Sequence, residues 1–140
     1  MAVRIKLNIK VGDRVESVNV LINSGYETDT PQLMIPISLA RKLGLWPPEN
    51  AEEDTYETAG GPLKVWIYRN AGIVSVANEE KSKEVLTDIV ISPLADEAIM
   101  SDILTGELEI AVEDFAEGLW RFRWEPPEKT RKTEKPQYWK

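Results

Sequence analysis

A chain of 140 residues, 42% of them hydrophobic, has apolar material for one domain with a real core and too little for two, which divides it into a domain over residues 1–125 and a tail over 126–140. With no Cys and no His, disulfides, thiolate nucleophiles, Ser-His-Asp and Cys-His pairs and zinc sites built on either residue are excluded; carboxylate acid/base work, lysine chemistry, oxygen-ligated divalent cations or no catalysis remain. The formal net charge is -7, and the tail, with five Lys or Arg against two Glu, leaves the body at -10, an acidic surface that argues against nucleic acid as a partner.

Val3, Ile5, Leu7 and Ile9 alternate with Arg4, Lys6, Asn8 and Lys10, the period-two pattern of a strand buried on one face. Gly12-Asp13 supplies a turn, and the chain is extended again from Val15 through Val18, Val20 and Ile22, so residues 3–22 read as a β-hairpin. It runs into Asn23-Ser24-Gly25-Tyr26, where glycine permits a sharp turn just after the last presented side chain. A polar loop at 27–31 and a short apolar run at Leu33, Met34 and Ile35 follow. Pro36 then opens the clearest helix, 37–43, with Leu39, Ala40 and Leu43 apolar and Gly44 as its stop.

Extended segments at 54–58 and 63–69 flank Ala59-Gly60-Gly61-Pro62, which predicts a hairpin with a glycine-rich tip. A second strand pair is expected over 73–77 and 85–92, joined by a solvated charged turn. Residues 98–104 combine an apolar strand end with a Ser101-Asp102 helix cap, the short helix stopping at Gly106. Leu108, Ile110 and Val112 alternate with Glu107, Glu109 and Glu113 as a half-buried strand. In 119–124 arginines alternate with Trp120, Phe122 and Trp124, which places the aromatics on one face as core or interface residues. Asp13, Asp29, Asp54 and Asp102 are scattered, so no metal site has supporting spacing and no cofactor is expected.

The tail has the Pro, Lys, Glu and Thr composition of an extended or disordered segment, ending in Tyr138-Trp139, which its own domain, a partner subunit or a neighbour must hold if it is ordered. No run of about 18 apolar residues and no N-terminal leader pattern is present, so a cytoplasmic protein without a membrane partner is expected.

The result is a mostly β domain with two short helices. The order of its parts resembles the retroviral-type (retropepsin-like) aspartic proteases, in particular their small single-domain archaeal and bacterial versions. Val20-Leu21-Ile22-Asn23-Ser24-Gly25-Tyr26 is similar to the family's apolar strand running into Asp-Thr/Ser-Gly. Ile35-Pro36 and the stretch from Leu39 to Leu45 resemble the segment after the active-site turn, Ala59-Gly60-Gly61 stands where the family has its flap, and Ile99-Met100-Ser101-Asp102-Ile103-Leu104 resembles its second apolar element before a short helix. Ser101 stands where the family favours glycine, and Asn23 where it needs aspartate.

The resemblance implies an acid protease fold, a closed or partly open β-barrel with a flap hairpin and one or two short helices. It also implies a homodimer with two position-23 side chains facing across the two-fold axis. Asn23, Ser24 and Gly25 then occupy the catalytic positions, while Tyr26, Thr58, Ala59, Gly60 and Gly61 line the site of an extended peptide or unfolded protein. Asn hydrogen-bonds the attacking water but neither takes nor gives its proton, so the expected activity is that of an aspartic endopeptidase, absent or nearly so in this form. The coherence of strand, turn and flap favours an engineered Asp→Asn change over a natural pseudoenzyme. A non-catalytic peptide-binding or assembly module on the same fold is the alternative. The tail, through Tyr138 and Trp139, is a candidate occupant of the cleft, against the simpler expectation that it packs on the surface.

Overall fold

The computed structural model describes residues 2–140. In chain order its elements are β1 (Arg4–Val11), β2 (Arg14–Ile22), β3 (Gln32–Ile35), α1 (Ile37–Lys42), β4 (Glu52–Thr58), β5 (Gly61–Val76), β6 (Val85–Ile91), β7 (Ala98–Met100), α2 (Asp102–Glu107), β8 (Ile110–Asp114), β9 (Leu119–Phe122) and β10 (Arg131–Lys132). Ile5, Leu7 and Ile9 turn inward from β1 and are buried, as the alternation requires. β1 and β2 pair antiparallel from Arg4↔Leu21 to Val11↔Arg14, and Gly12 takes φ +61 in the two-residue connection, a conformation in which a side chain is strained.

The main sheet runs β1-β2-β7-β3-β6-β5, and β5 pairs back onto β1 from Leu7↔Val76 to Lys10↔Ile73, closing six strands into a barrel. β4 lies beyond β5 and pairs with its first half, so the two project together as a hairpin. The sequence divides this region into separate segments at 63–69 and 73–77. The chain instead makes one 16-residue strand of them. The join is a bulge: the register on β6 shifts between Tyr68 and Gly72, Asn70 adopts φ +50, and the Asn70 N–H donates to the buried Asp88 carboxylate at 2.7 Å. One bent strand thus serves the projecting hairpin and the barrel wall.

The larger of two apolar clusters fills the barrel and its flank, drawing Leu39 and Ala40 from α1, Leu104 from α2, and Trp120 and Phe122 from β9; the smaller gathers Val65, Ile67 and Val90, with Met34, Tyr56 and Leu63 packed against it. Two details depart from the sequence pattern. α2 passes through Gly106 and ends only where Leu108 caps it and Glu109 turns at φ +64. β9 ends at Phe122, so Trp124 leaves the buried face and lies 46% exposed, its ring stacked on Phe122 at 5.1 Å. Among the described residues no helix is long and apolar enough to cross a membrane.

The tail is held by its own domain. β10 joins β9 through Arg131↔Trp120 and Lys132↔Leu119. Beyond it the Glu134 N–H donates to the Arg4 carbonyl at 2.8 Å, Gln137 Oε1 accepts from the Asn19 N–H at 2.8 Å, and the Trp139 N–H donates to the Asp96 carbonyl at 2.7 Å. The Trp139 ring packs half-buried against the main core with Lys42 Nζ 5.4 Å from its centroid. Trp139→Ala is expected to lower unfolding stability by about 2 kcal/mol, the worth of a partly buried large apolar side chain, measured by urea denaturation. An unchanged midpoint would mean that the tail end only rests on the surface.

Candidate functional site

Two strand ends meet at the Asn23 corner. β2 and β7 run parallel, with Leu21↔Ile99 and Ile22↔Met100 in register, so both chains leave the sheet at the same edge. Beyond the last pair the Asn23 N–H points to the Met100 carbonyl at 3.4 Å. The backbone then reverses: the Tyr26 N–H donates to the Asn23 carbonyl at 3.0 Å, and Asn23 Oδ1 accepts from the Gly25 N–H at 2.9 Å. The side-chain amide therefore closes a turn on its own backbone. The start of α2 braces the loop beyond it, the Asp102 N–H donating to the Tyr26 carbonyl at 3.0 Å and the Asp102 carboxylate accepting from the Thr28 N–H at 3.1 Å.

Ser101 supports this corner from behind. It is fully buried, and its Oγ accepts from the Leu104 N–H, capping α2, and from the Gln32 N–H of β3. A glycine here would lack both bonds, so the serine is structurally committed.

The projecting hairpin faces the corner. Thr58 Oγ1 donates to the Gly61 carbonyl at 2.7 Å and accepts from the Gly60 N–H at 3.2 Å, while Gly61 takes φ +109, which fixes the tip as a tight turn. Between hairpin and corner lies a groove of about 510 Å³ whose walls include Asn23, Gly25, Tyr26, Thr58 and Ala59. Five of the eight site residues expected from the sequence are thus brought together around one space. Ser24, Gly60 and Gly61 are not part of its wall; Ser24 is exposed at the corner, and the two glycines shape the tip. Met34, Tyr56, Glu57, Leu63 and Ile99 complete the groove, whose lining is mainly apolar. No residue of the tail lines it.

No family model matches the chain, and no curated protein does. The assignment of a role to the groove therefore rests on its own geometry. Among the described residues no group of three or more Asp or Glu is arranged to hold a metal ion.

No motif marks what orders the groove. Gln32, buried on β3, accepts at Oε1 from the Tyr26 hydroxyl at 2.8 Å and from the Tyr56 hydroxyl at 2.9 Å. Corner, hairpin and barrel wall are tied by one amide oxygen. Burial raises the pKa of the Tyr26 phenol well above its usual value, with Tyr56 and Asp88 adding to it, so Tyr26 is a permanent donor. Tyr56 is raised by burial against the opposing pull of its bond to Gln32. Beneath them, burial penalises the Asp88 carboxylate, but the Asn70 N–H, the Thr30 hydroxyl and the Arg69 guanidinium outweigh it and hold the group below the usual carboxylate range. Tyr26 and Tyr56 also border a second, polar cleft of about 550 Å³ that contains Asp29, Asp54 and Arg69.

Gln32→Leu removes the shared acceptor and strands both hydroxyls. The expected outcome is a loss of about 2 kcal/mol in stability, together with faster amide hydrogen exchange across 52–58 than across β1 and β2. Unchanged protection in 52–58 would show that the hairpin is positioned by β5 alone.

Proposed function

We propose that this chain is one half of a two-chain aspartic endopeptidase site that holds an extended peptide and, with an amide at position 23, cleaves it very slowly or not at all. The observation that carries the reading is the placement of Asn23: a polar side chain at the joined ends of two parallel strands, exposed, held by the Gly25 N–H, at the floor of a groove roofed by a glycine-tipped hairpin. The closed barrel and the two short helices are the frame in which the resemblance expects such a site. Asn23, Ser24 and Gly25 are all exposed on the single chain, so a second copy meeting this edge about a two-fold axis has both position-23 side chains within its reach.

With aspartate at position 23 of both chains of that dimer, the two carboxylates share one proton, a property of aspartic proteases as a class. The ionised partner takes a proton from the attacking water, and the protonated one donates to the peptide carbonyl oxygen. Two amides do neither. The reading is tested with the Asn23→Asp chain, expected to sediment as a dimer and to cut an unfolded protein in a pepstatin-sensitive manner.

A second reading, a peptide-binding or assembly module on the same frame, is favoured by the amide itself. It shares the groove and the extended peptide and differs only in predicting no cleavage by the Asn23→Asp chain.

A further inference from the structure

An amide at the corner is compatible with a carboxylate removed by engineering and with a site that has lost its chemistry. The turn it sits in supports a third account. We propose that Asn23 is a self-processing position, deamidated through its own backbone so that the encoded amide is the precursor of an aspartate.

Six asparagines occur in the chain, and only Asn23 precedes a serine; Asn8 and Asn19 precede Ile9 and Val20, Asn50 and Asn70 precede alanines, and Asn78 precedes Glu79. Deamidation begins with attack of the following backbone nitrogen on the side-chain Cγ. A β-branched neighbour obstructs that approach, whereas the electron-withdrawing serine hydroxyl acidifies the amide that must attack. Asn8 and Asn19 are also fixed in the β1–β2 ladder, and Asn70 is pinned in its bulge by Asp88. Asn23 lies in an exposed turn where, among the described residues, no hydrogen bond engages the Ser24 N–H. The Gly25 N–H meanwhile points at Asn23 Oδ1 from 2.9 Å, where negative charge develops as the ring closes.

The step balances with water as the only co-reactant. The Ser24 nitrogen loses its proton and bonds to Asn23 Cγ, and the side-chain nitrogen leaves as ammonia, giving a five-membered imide. Water then adds to one of the two imide carbonyls. Breaking the new Cγ–N bond yields aspartate with the ordinary backbone restored; breaking the original peptide bond to Ser24 yields isoaspartate, with the backbone rerouted through the side chain. Net, one amide and one water become one carboxylic acid and ammonia. The chemistry at position 23 stands independently of the proposed function, but its consequence, a corner that acquires a titratable group, rests on that reading.

Fresh full-length protein, incubated in ammonia-free buffer from neutral to mildly alkaline pH, tests this directly. The tryptic peptide 15–41 holds both Asn19 and Asn23, so fragment ions compare the two within one molecule. The expected result is a gain of one mass unit at Asn23, at least about tenfold faster than at Asn19, accelerating with pH, with aspartate among the products. Pepstatin-sensitive cleavage of an unfolded protein is expected to rise with the aspartyl fraction. Conversion at Asn23 no faster than at Asn19, or isoaspartate as the sole product, overturns the proposal. The Asn23→Asp chain separates the two claims: if it cleaves nothing while native Asn23 still converts to aspartate, the modification site stands and the protease reading falls.

Discussion

Asn23→Asp is expected to raise peptide-bond cleavage by at least about 10³-fold over the native chain, within the range of about 10²–10⁴ that a positioned general acid or base contributes. The substitution replaces an amide nitrogen with an oxygen, leaves the length of the side chain unchanged and keeps the acceptor that the Gly25 N–H uses at 2.9 Å, so the turn has no reason to move. What changes is the proton inventory of the groove floor. Two facing carboxylates bind their last proton tightly because both cannot ionise at short range, and only the singly protonated pair holds a base for water and an acid for the carbonyl together. Activity should therefore fall on both sides of an acidic optimum, where a single independent carboxylate would give a simple one-sided titration. Cleavage is measured on a chemically unfolded protein, with sedimentation to establish the dimer. A dimeric Asn23→Asp chain that cleaves nothing at any pH from acidic to neutral removes the protease reading and leaves peptide binding.

Local patterns carried much of the fold and little of what holds the site. The first hairpin was legible because Val3 to Ile9 alternate strictly and Gly12 lies at the only break. The second was legible because Gly60-Gly61 separates two extended runs. β7 was harder: three residues, Ala98–Met100, show no period of their own, and their parallel pairing with β2 is set by a partner nearly eighty residues away. The continuity of β5 was hidden for a related reason, since Asn70-Ala71-Gly72 reads as a break until the Asp88 carboxylate arrives to receive the Asn70 N–H. Of the site, the corner and the hairpin tip were visible as motifs, whereas Gln32, Met34 and Ile99 carry no motif and join the groove only through strand order. The Gln32 clamp illustrates the point, because a glutamine after a Thr-Pro loop looks like any solvated loop residue until the barrel buries it.

The tail was misleading by composition, and Arg131 explains how a Lys- and Pro-rich segment becomes part of the domain. Glu125 is buried with its carboxylate accepting from both terminal nitrogens of Arg131, at 2.8 Å for Nη2, from the Phe122 N–H at 2.9 Å, and pairing with Lys129 at 3.3 Å. Arg131 reaches on to Glu79 at 2.8 Å and lies over the Trp120 and Phe122 rings at 5.1 and 5.0 Å. Arg131→Met keeps much of that ring contact and leaves a buried carboxylate without its main partner, so a loss of about 3–5 kcal/mol is expected in denaturant unfolding. The pH dependence distinguishes this cause from lost packing. Arg131 is the largest influence holding the Glu125 carboxyl down, from an ordinary 4.5 to about 2, against the opposing effect of burial. A depressed carboxyl contributes stability above its unfolded value and loses it as pH falls, so in the native chain this contribution fades from about 4.5 towards 2. In Arg131→Met the carboxyl loses the largest of the influences that hold it down and keeps only the Phe122 N–H and Lys129, so protonation relieves the buried charge at higher pH and the deficit against the native chain should shrink across the same acid range. Adding Glu125→Gln to Arg131→Met should recover much of the loss at neutral pH by removing the stranded charge. A deficit that is independent of pH and is not recovered by Glu125→Gln would assign the effect to packing on Trp120 and Phe122 and leave the ion pair without a net role.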